Sequence, residues 1–159
     1  MAIKKKFPYR AALVACNGSC HANQETKCQY GCVGCGKCVE NCKFDAIFLN
    51  ENGVAQVIEE KCIACGKCVR ECPQNIIHIH ACDNFIVVKC SNKDKGKDAR
   101  SVCPVSCLGC GICERICTAE AVHVVDNCAV IQEEYCLGCG MCAVKCPRNV
   151  ILDKRGVLT

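Results

Sequence analysis

Twenty-three of the 159 residues are cysteine, and sixteen of them fall into four copies of one spacing, C-x2-C-x2-C-x3-C. The copies are Cys32-Cys35-Cys38-Cys42, Cys62-Cys65-Cys68-Cys72, Cys107-Cys110-Cys113-Cys117 and Cys136-Cys139-Cys142-Cys146. Cysteines three apart in tight glycine-containing loops point into a common centre, which suits a metal better than a crosslink between distant segments. This run is one that wraps a [4Fe–4S] cube with its first three thiolates and sends the fourth to the neighbouring cube. One cluster then takes Cys32, Cys35, Cys38 and Cys72, and its neighbour Cys62, Cys65, Cys68 and Cys42. The second half repeats this with Cys107, Cys110, Cys113 and Cys146, then Cys136, Cys139, Cys142 and Cys117. Four complete ligand sets leave no open iron, so no catalytic residue is assigned and the chain is read as an electron carrier, not an enzyme.

The rival readings are weaker. A disulfide scaffold needs a secretory context, and Met1 to Pro8 carries basic residues without an apolar stretch and cleavage site. An odd cysteine count also leaves one thiol unpaired. Structural zinc sites use two separated C-x2-C pairs and need no third cysteine three residues further on. No Walker loop, G-x-G-x-x-G fingerprint or Ser/His/Asp set is present, so no nucleotide or flavin site is assigned.

Composition fits a core made of cofactor. Aromatics are 4% and tryptophan is absent, while the 51% apolar content counts cysteine as apolar. Clusters supply the missing core and couple folding to their insertion. The formal charge of +4 misleads for the same reason. A [4Fe–4S]2+ core on four thiolates carries about −2, and four such sites move the chain to roughly −4. Nucleic acid is therefore not an expected partner. Lys4, Lys5 and Lys6, with Lys93, Lys95 and Lys97, read as solvated surface. No stretch approaches the roughly 20 apolar residues of a membrane span, and the expected location is the cytoplasm.

The elements that must hold these ligands follow from an internal repeat. Residues 13–80 and 87–152 each read as an apolar run, a cysteine (Cys16 or Cys90), a polar spacer, a second cysteine (Cys28 or Cys103), and two ligand runs. After every fourth cysteine a polar turn leads into a short β-branched stretch, the pattern of a brief helix followed by a strand. Asn52-Gly53 and Asp126-Asn127 mark hairpin turns. The expected fold is α+β: tandem two-cluster units of short hairpins and short helices. The expected boundaries are a leader at 1–31, a first unit at 32–81, a connecting leader at 82–106 and a second unit at 107–159. The glycines of the runs let backbone N–H groups approach cluster sulfurs.

Seven cysteines remain. Cys16, Cys28, Cys90 and Cys103 hold repeat-equivalent positions and form either a fifth cluster site or buried inert thiols. Cys28, four residues before Cys32, could also replace Cys35 as a ligand. Cys20, Cys82 and Cys128 read as small packing residues. Of the histidines, His78, His80 and His123 lie in strand-like runs and read as surface or packing groups, and His21 carries no stronger signal.

The leader "VACNG" and the segments "KCQYGCVGCGKCVENCKFDAI" and "CSNKDKGKDARSVCPVSCLGCGICERIC" resemble the RnfB-like polyferredoxins of Rnf-type ferredoxin:NAD oxidoreductase complexes. The likeness runs along nearly the entire chain. It implies bacterial-type ferredoxin units that relay electrons between a carrier such as ferredoxin and a catalytic oxidoreductase partner. Two departures matter. Such proteins usually begin with a membrane-anchoring helix and an N-terminal cluster module, neither visible in this sequence, and many lack the residue matching Cys35. The expectation is thus a freestanding relay serving an oxidoreductase of an anaerobe, for instance a tungsten- or flavin-dependent one. The alternative is a scaffold, self-associating into filaments, whose clusters mainly link catalytic subunits.

Overall fold

A computed structural model describes residues 9–17 and 28–156. The expectations for Lys4, Lys5, Lys6, Cys20 and His21 lie outside the described residues. Among those residues the fold is a mixed α+β arrangement of short elements, and no helix is long and apolar enough to cross a membrane.

The first half holds β1 (Arg10–Val14), α1 (Lys37–Glu40), β2 (Ile47–Leu49), β3 (Ala55–Val57), α2 (Lys67–Glu71) and β4 (Ile77–Ala81). The second holds β5 (Ile86–Val88), α3 (Gly96–Val102), α4 (Ile112–Ile116), β6 (Val122–Val125), β7 (Cys128–Ile131), α5 (Met141–Lys145) and β8 (Ile151–Asp153). Each half contains two antiparallel pairs. One is a local hairpin, β2–β3 or β6–β7; the other joins the two ends of the half, β1 with β4 or β5 with β8.

Local chemistry sets the hairpins. Asp126 and Asn127 have φ of 48° and 63° and close a two-residue turn beneath the Val125–Cys128 pair; a primed turn of this kind needs left-handed backbone at both central residues, which Asp and Asn tolerate. In the first half, Asn50 Oδ1 accepts the N–H groups of Asn52 and Val54 at 3.0 Å each, shaping the longer turn. The end-to-end pairs are non-local. Strand β1, which lies within the 1–31 leader, runs along β4 from Arg10↔Ala81 to Val14↔Ile77. Ala15 N–H to Ile76 O (2.8 Å) and Cys82 N–H to Tyr9 O (3.1 Å) extend that ladder at both ends.

Each half has its own buried core, and among the described residues no aromatic ring is fully buried in either, Tyr9 packing at the margin of the first. Six of the fifteen buried residues of the first and four of the ten of the second are cysteine. The rest are mainly Ala, Val and Ile, with Ala11, Ala12, Ala46, Ala55 and Ala121 at 1% exposure or less. Such small side chains bury little area each, at roughly 25 cal/mol per Å². The cores therefore depend on whatever fills the space between the thiols, as the composition leads one to expect.

Polar ties join the halves. Lys154 Nζ donates to Glu59 Oε1 at 2.7 Å, Ala81 N–H to Glu133 Oε2 at 3.1 Å, and Ser91 Oγ–H to the Ala15 carbonyl at 2.9 Å.

Candidate metal centres

The third cysteine of every run sits in a short helix: Cys38 in α1, Cys68 in α2, Cys113 in α4 and Cys142 in α5. The fourth comes at the helix end. Cys72, Cys117 and Cys146 cap the C-terminal ends of α2, α4 and α5, with extended backbone (φ −76°, −77° and −71°; ψ 114°, 101° and 116°). Leaving the helical conformation there turns the fourth thiol away from its own run.

The thiols consequently collect across runs. One cavity is lined by Cys32, Cys35, Cys38 and Cys72, a second by Cys42, Cys62, Cys65 and Cys68, and a third by Cys107, Cys110, Cys113 and Cys146. Their accessible volumes are small, about 20, 20 and 10 Å³. The same four-cysteine lining in three places is what one guest used three times requires. In the remaining group, Cys142 feels the charges of Cys136 and Cys139, and Cys117 packs in the same core. Cys35 lines its cavity itself, whereas the thiol neighbours of Cys28 are Cys103 and Cys90, so nothing places Cys28 in the stead of Cys35.

Spacing between the thiols distinguishes a cluster from a single ion. Tetrahedral zinc at about 2.3 Å from each sulfur holds its thiolates roughly 3.8 Å apart. Among the described residues, the one group of three such ligand atoms within 4.8 Å of one another is Glu59, His80 and Cys82. The cysteine quartets are wider than that, and the donors are all soft thiols, the set preferred by iron–sulfur clusters. The residues fit the cube and do not fit zinc.

Electrostatics agrees. Burial, followed by the charges of Cys32, Cys72 and Cys35, pushes the Cys38 thiol up to about 11. Burial and neighbouring thiols do the same to Cys68, Cys113 and Cys142, each to about 11. Such thiols ionise together only when a metal neutralises them. Backbone N–H groups approach the sulfurs: Ala12 and Ala64 to Cys62 at 3.3 and 3.4 Å, Ala55 to Cys32 at 3.5 Å, and Ala121 to Cys117 at 3.3 Å. These donors are alanines, not only the glycines singled out by the spacing. Gly109 shows the glycine contribution. Its N–H bonds the Cys107 sulfur, φ is +63°, and a Cβ there would lie 2.9 Å from the Asn127 carbonyl oxygen.

Cys82 and Cys128 do more than fill space. The buried Cys128 thiol hydrogen-bonds the Cys107 and Cys90 sulfurs, which drives its own ionisation far up and brings Cys107 down to about 6. Cys82 stands beside Glu59 and His80. His80 is 1% exposed, with Nε2 3.4 Å from Glu59 Oε1 but without hydrogen-bond geometry at either nitrogen. The His80 imidazole and then Lys154 hold the Glu59 carboxyl down at about 2. His123 lies 3.5 Å from Glu114 at the surface. No spacing rule links Glu59, His80 and Lys154, which lie far apart in the chain.

The rims of the two sites built on second runs differ. Around Cys62 and Cys65 stand Lys61, Ile63, Lys67 and Arg70; the equivalent positions around Cys136 and Cys139 are Tyr135, Leu137, Met141 and Val144. These four are 59, 78, 46 and 48% exposed.

Comparison with known proteins gives the following. The 4Fe-4S dicluster domain family matches residues 25–79, and the 4Fe-4S binding domain family matches residues 129–152. The B component of the Na(+)-translocating ferredoxin:NAD(+) oxidoreductase complex of Acetobacterium woodii is 43% identical over 142 residues, covering 89% of this chain and 41% of the relative. Its counterpart in the proton-translocating ferredoxin:NAD(+) oxidoreductase complex of Clostridium ljungdahlii is 40% identical over 126 residues, 78% of this chain and 44% of the relative. The B component of an ion-translocating oxidoreductase complex of Methanosarcina acetivorans is 40% identical over 124 residues, 78% and 47% respectively. The chain thus spans less than half the length of these relatives.

Proposed function

We propose, for a chain that is homologous to RnfB-type subunits over most of its length and carries 4Fe–4S ferredoxin domains, that it is a cytoplasmic electron-transfer subunit with no substrate site of its own. It holds four [4Fe–4S] clusters in two ferredoxin units, 32–81 and 107–159, with the segments 1–31 and 82–106 as leaders. The ligands are the four crossed quartets: Cys32, Cys35, Cys38, Cys72; Cys62, Cys65, Cys68, Cys42; Cys107, Cys110, Cys113, Cys146; and Cys136, Cys139, Cys142, Cys117. When bound, the clusters supply one-electron redox centres with potentials set by charge, hydrogen bonding and exposure.

The observation that carries this reading is the set of three cavities each lined by four cysteines drawn from two different runs. The protein's own part is to hold the thiolates, keep water off them with Ala, Val and Ile, and aim amides at the sulfurs. The two rims supply two docking faces. The basic rim of Lys61, Lys67 and Arg70 suits an acidic carrier such as ferredoxin, met transiently and steered by charge. The apolar rim of Tyr135, Leu137, Met141 and Val144 suits a catalytic oxidoreductase subunit held for longer.

The test is Cys65→Ala in the anaerobically purified complex with its co-purifying partner. Lost electron throughput with the complex intact supports the relay. Lost assembly with retained turnover supports a scaffold that links or polymerises catalytic subunits.

A further inference from the structure

Of the seven cysteines left over from the four quartets, two repeat-equivalent ones in each leader converge. Cys28, in the first half, has Cys103 and Cys90 of the second half as its thiol neighbours. Cys16 reaches the junction by another route. The carbonyl of the preceding Ala15 accepts the Ser91 hydroxyl at 2.9 Å, Ser91 directly follows Cys90, and the Cys16 thiol faces Lys89.

The set obeys the internal repeat. Cys16 and Cys90 each follow a residue that extends an end-to-end ladder, Ala15 N–H to Ile76 O and Lys89 N–H to Val150 O at 2.8 Å each. Cys28 and Cys103 each stand four residues before the first ligand of a run. Each half therefore contributes one equivalent pair to a single place between the halves. Cys16 and Cys103 are 7 and 5% exposed.

A buried polar group points at the same place. Asn92 is 1% exposed. Its backbone N–H reaches Cys90 Sγ at 3.4 Å and its side-chain Nδ2 reaches Cys28 Sγ at 3.6 Å. The Cys107 N–H donates to Cys90 Sγ as well, at 3.2 Å. Amide donors are thus directed at both the Cys28 and the Cys90 sulfur. These cysteines do not form a tetrahedral zinc site either, since no three of them lie within 4.8 Å of one another.

We propose that Cys16, Cys28, Cys90 and Cys103 hold a fifth [4Fe–4S] cluster at the junction of the two repeats. This rests on the iron–sulfur reading of the chain and adds to it a centre that connects the two units. The Cys128 thiol donates to the Cys90 carbonyl at 3.3 Å and hydrogen-bonds the Cys107 sulfur, linking the junction to the neighbouring quartet. Assembly of the junction then locks the two halves together, beyond the ties at Glu59 and Glu133.

The experiment is native mass spectrometry, with iron and acid-labile sulfide analysis, on the anaerobically reconstituted full chain. The expected stoichiometry is about 20 iron per chain, against about 16 for the quartets alone. Cys28→Ala and Cys90→Ala should each lose one cluster, and the double variant should lose the same single cluster, not two. Wild-type protein saturating at about 16 iron, with both variants unchanged, overturns the fifth site and leaves the four-cluster reading standing. Iron near zero overturns both. The wild-type count decides even if a variant fails to fold.

Discussion

The proposed site of Cys62, Cys65, Cys68 and Cys42 and the proposed site of Cys136, Cys139, Cys142 and Cys117 share one skeleton, with a helix carrying the third cysteine and an amide on a sulfur. Their surroundings differ. Lys61, Ile63, Lys67 and Arg70 surround the first, whereas Tyr135, Leu137, Met141 and Val144 surround the second, with Leu137 78% exposed. The comparison teaches that ligand spacing and partner choice are separable. Spacing is satisfied identically in both halves, while the rim is free to become charged or greasy according to what docks there. An apolar rim of this kind is the sort of surface through which partner contacts are made.

The largest expected effect tests what the two sites share. Cys65→Ala and Cys139→Ala should each remove one cluster and cut electron throughput by about 100-fold or more, since a missing centre breaks the path. Anaerobic turnover with a dye acceptor, alongside iron analysis, reads both. Equal losses in the two variants support a single chain of centres; a loss in only one places the other site off the path.

The next effect separates the sites. Leu137→Glu should weaken the complex with a co-purifying partner by roughly 10- to 100-fold, the cost of a charge at the centre of an apolar contact. Ile63→Glu should leave that affinity within about 2-fold. Anaerobic pull-down with titration measures both, and equal weakening would erase the distinction. Smaller still, Lys61→Glu with Lys67→Glu should slow reduction by an acidic ferredoxin about 5- to 10-fold at low salt, a gap that closes as ionic strength rises. Stopped-flow kinetics at two salt concentrations checks it; slowing that is independent of salt would argue against charge steering.

The smallest effect lies between the halves. The Glu59 carboxyl, held at about 2 against an ordinary 4.5, contributes stability that is complete above the ordinary value and is lost as pH falls toward the depressed one. Glu59→Gln should therefore lower stability by about 2 kcal/mol, with the same deficit at pH 7 and pH 5. Thermal bleaching of the clusters reads the gap. A deficit already vanishing at pH 5 would mean that Glu59 is not held low.

Much of the site was legible because it is local. C-x2-C-x2-C-x3-C puts three thiols on one loop and one at a helix end, and the extended backbone at Cys72, Cys117 and Cys146 explains the crossover. The Asp126-Asn127 hairpin was legible for the same reason. What the sequence hid is long-range. Pairing of β1 with β4 joins Arg10 to Ala81, and no pattern within the leader announces its partner. His80 lies in the alternating Ile77-His78-Ile79-His80 run, which reads as one surface-facing side, yet the fold buries it beside Glu59 and Cys82, and Lys154 of the second half answers Glu59. Asn92 stood in a recognised segment, but its hydrogen bonds to two thiols from different halves become visible only in the fold.

The most direct test of the iron–sulfur relay is an EPR-monitored redox titration, with metal analysis, of the anaerobically prepared full chain. The predicted result is iron and sulfide for at least four [4Fe–4S] clusters, and signals that appear on reduction and broaden as neighbouring centres in each half become reduced together. Stoichiometric zinc with iron near zero, and no signal on reduction, would contradict it.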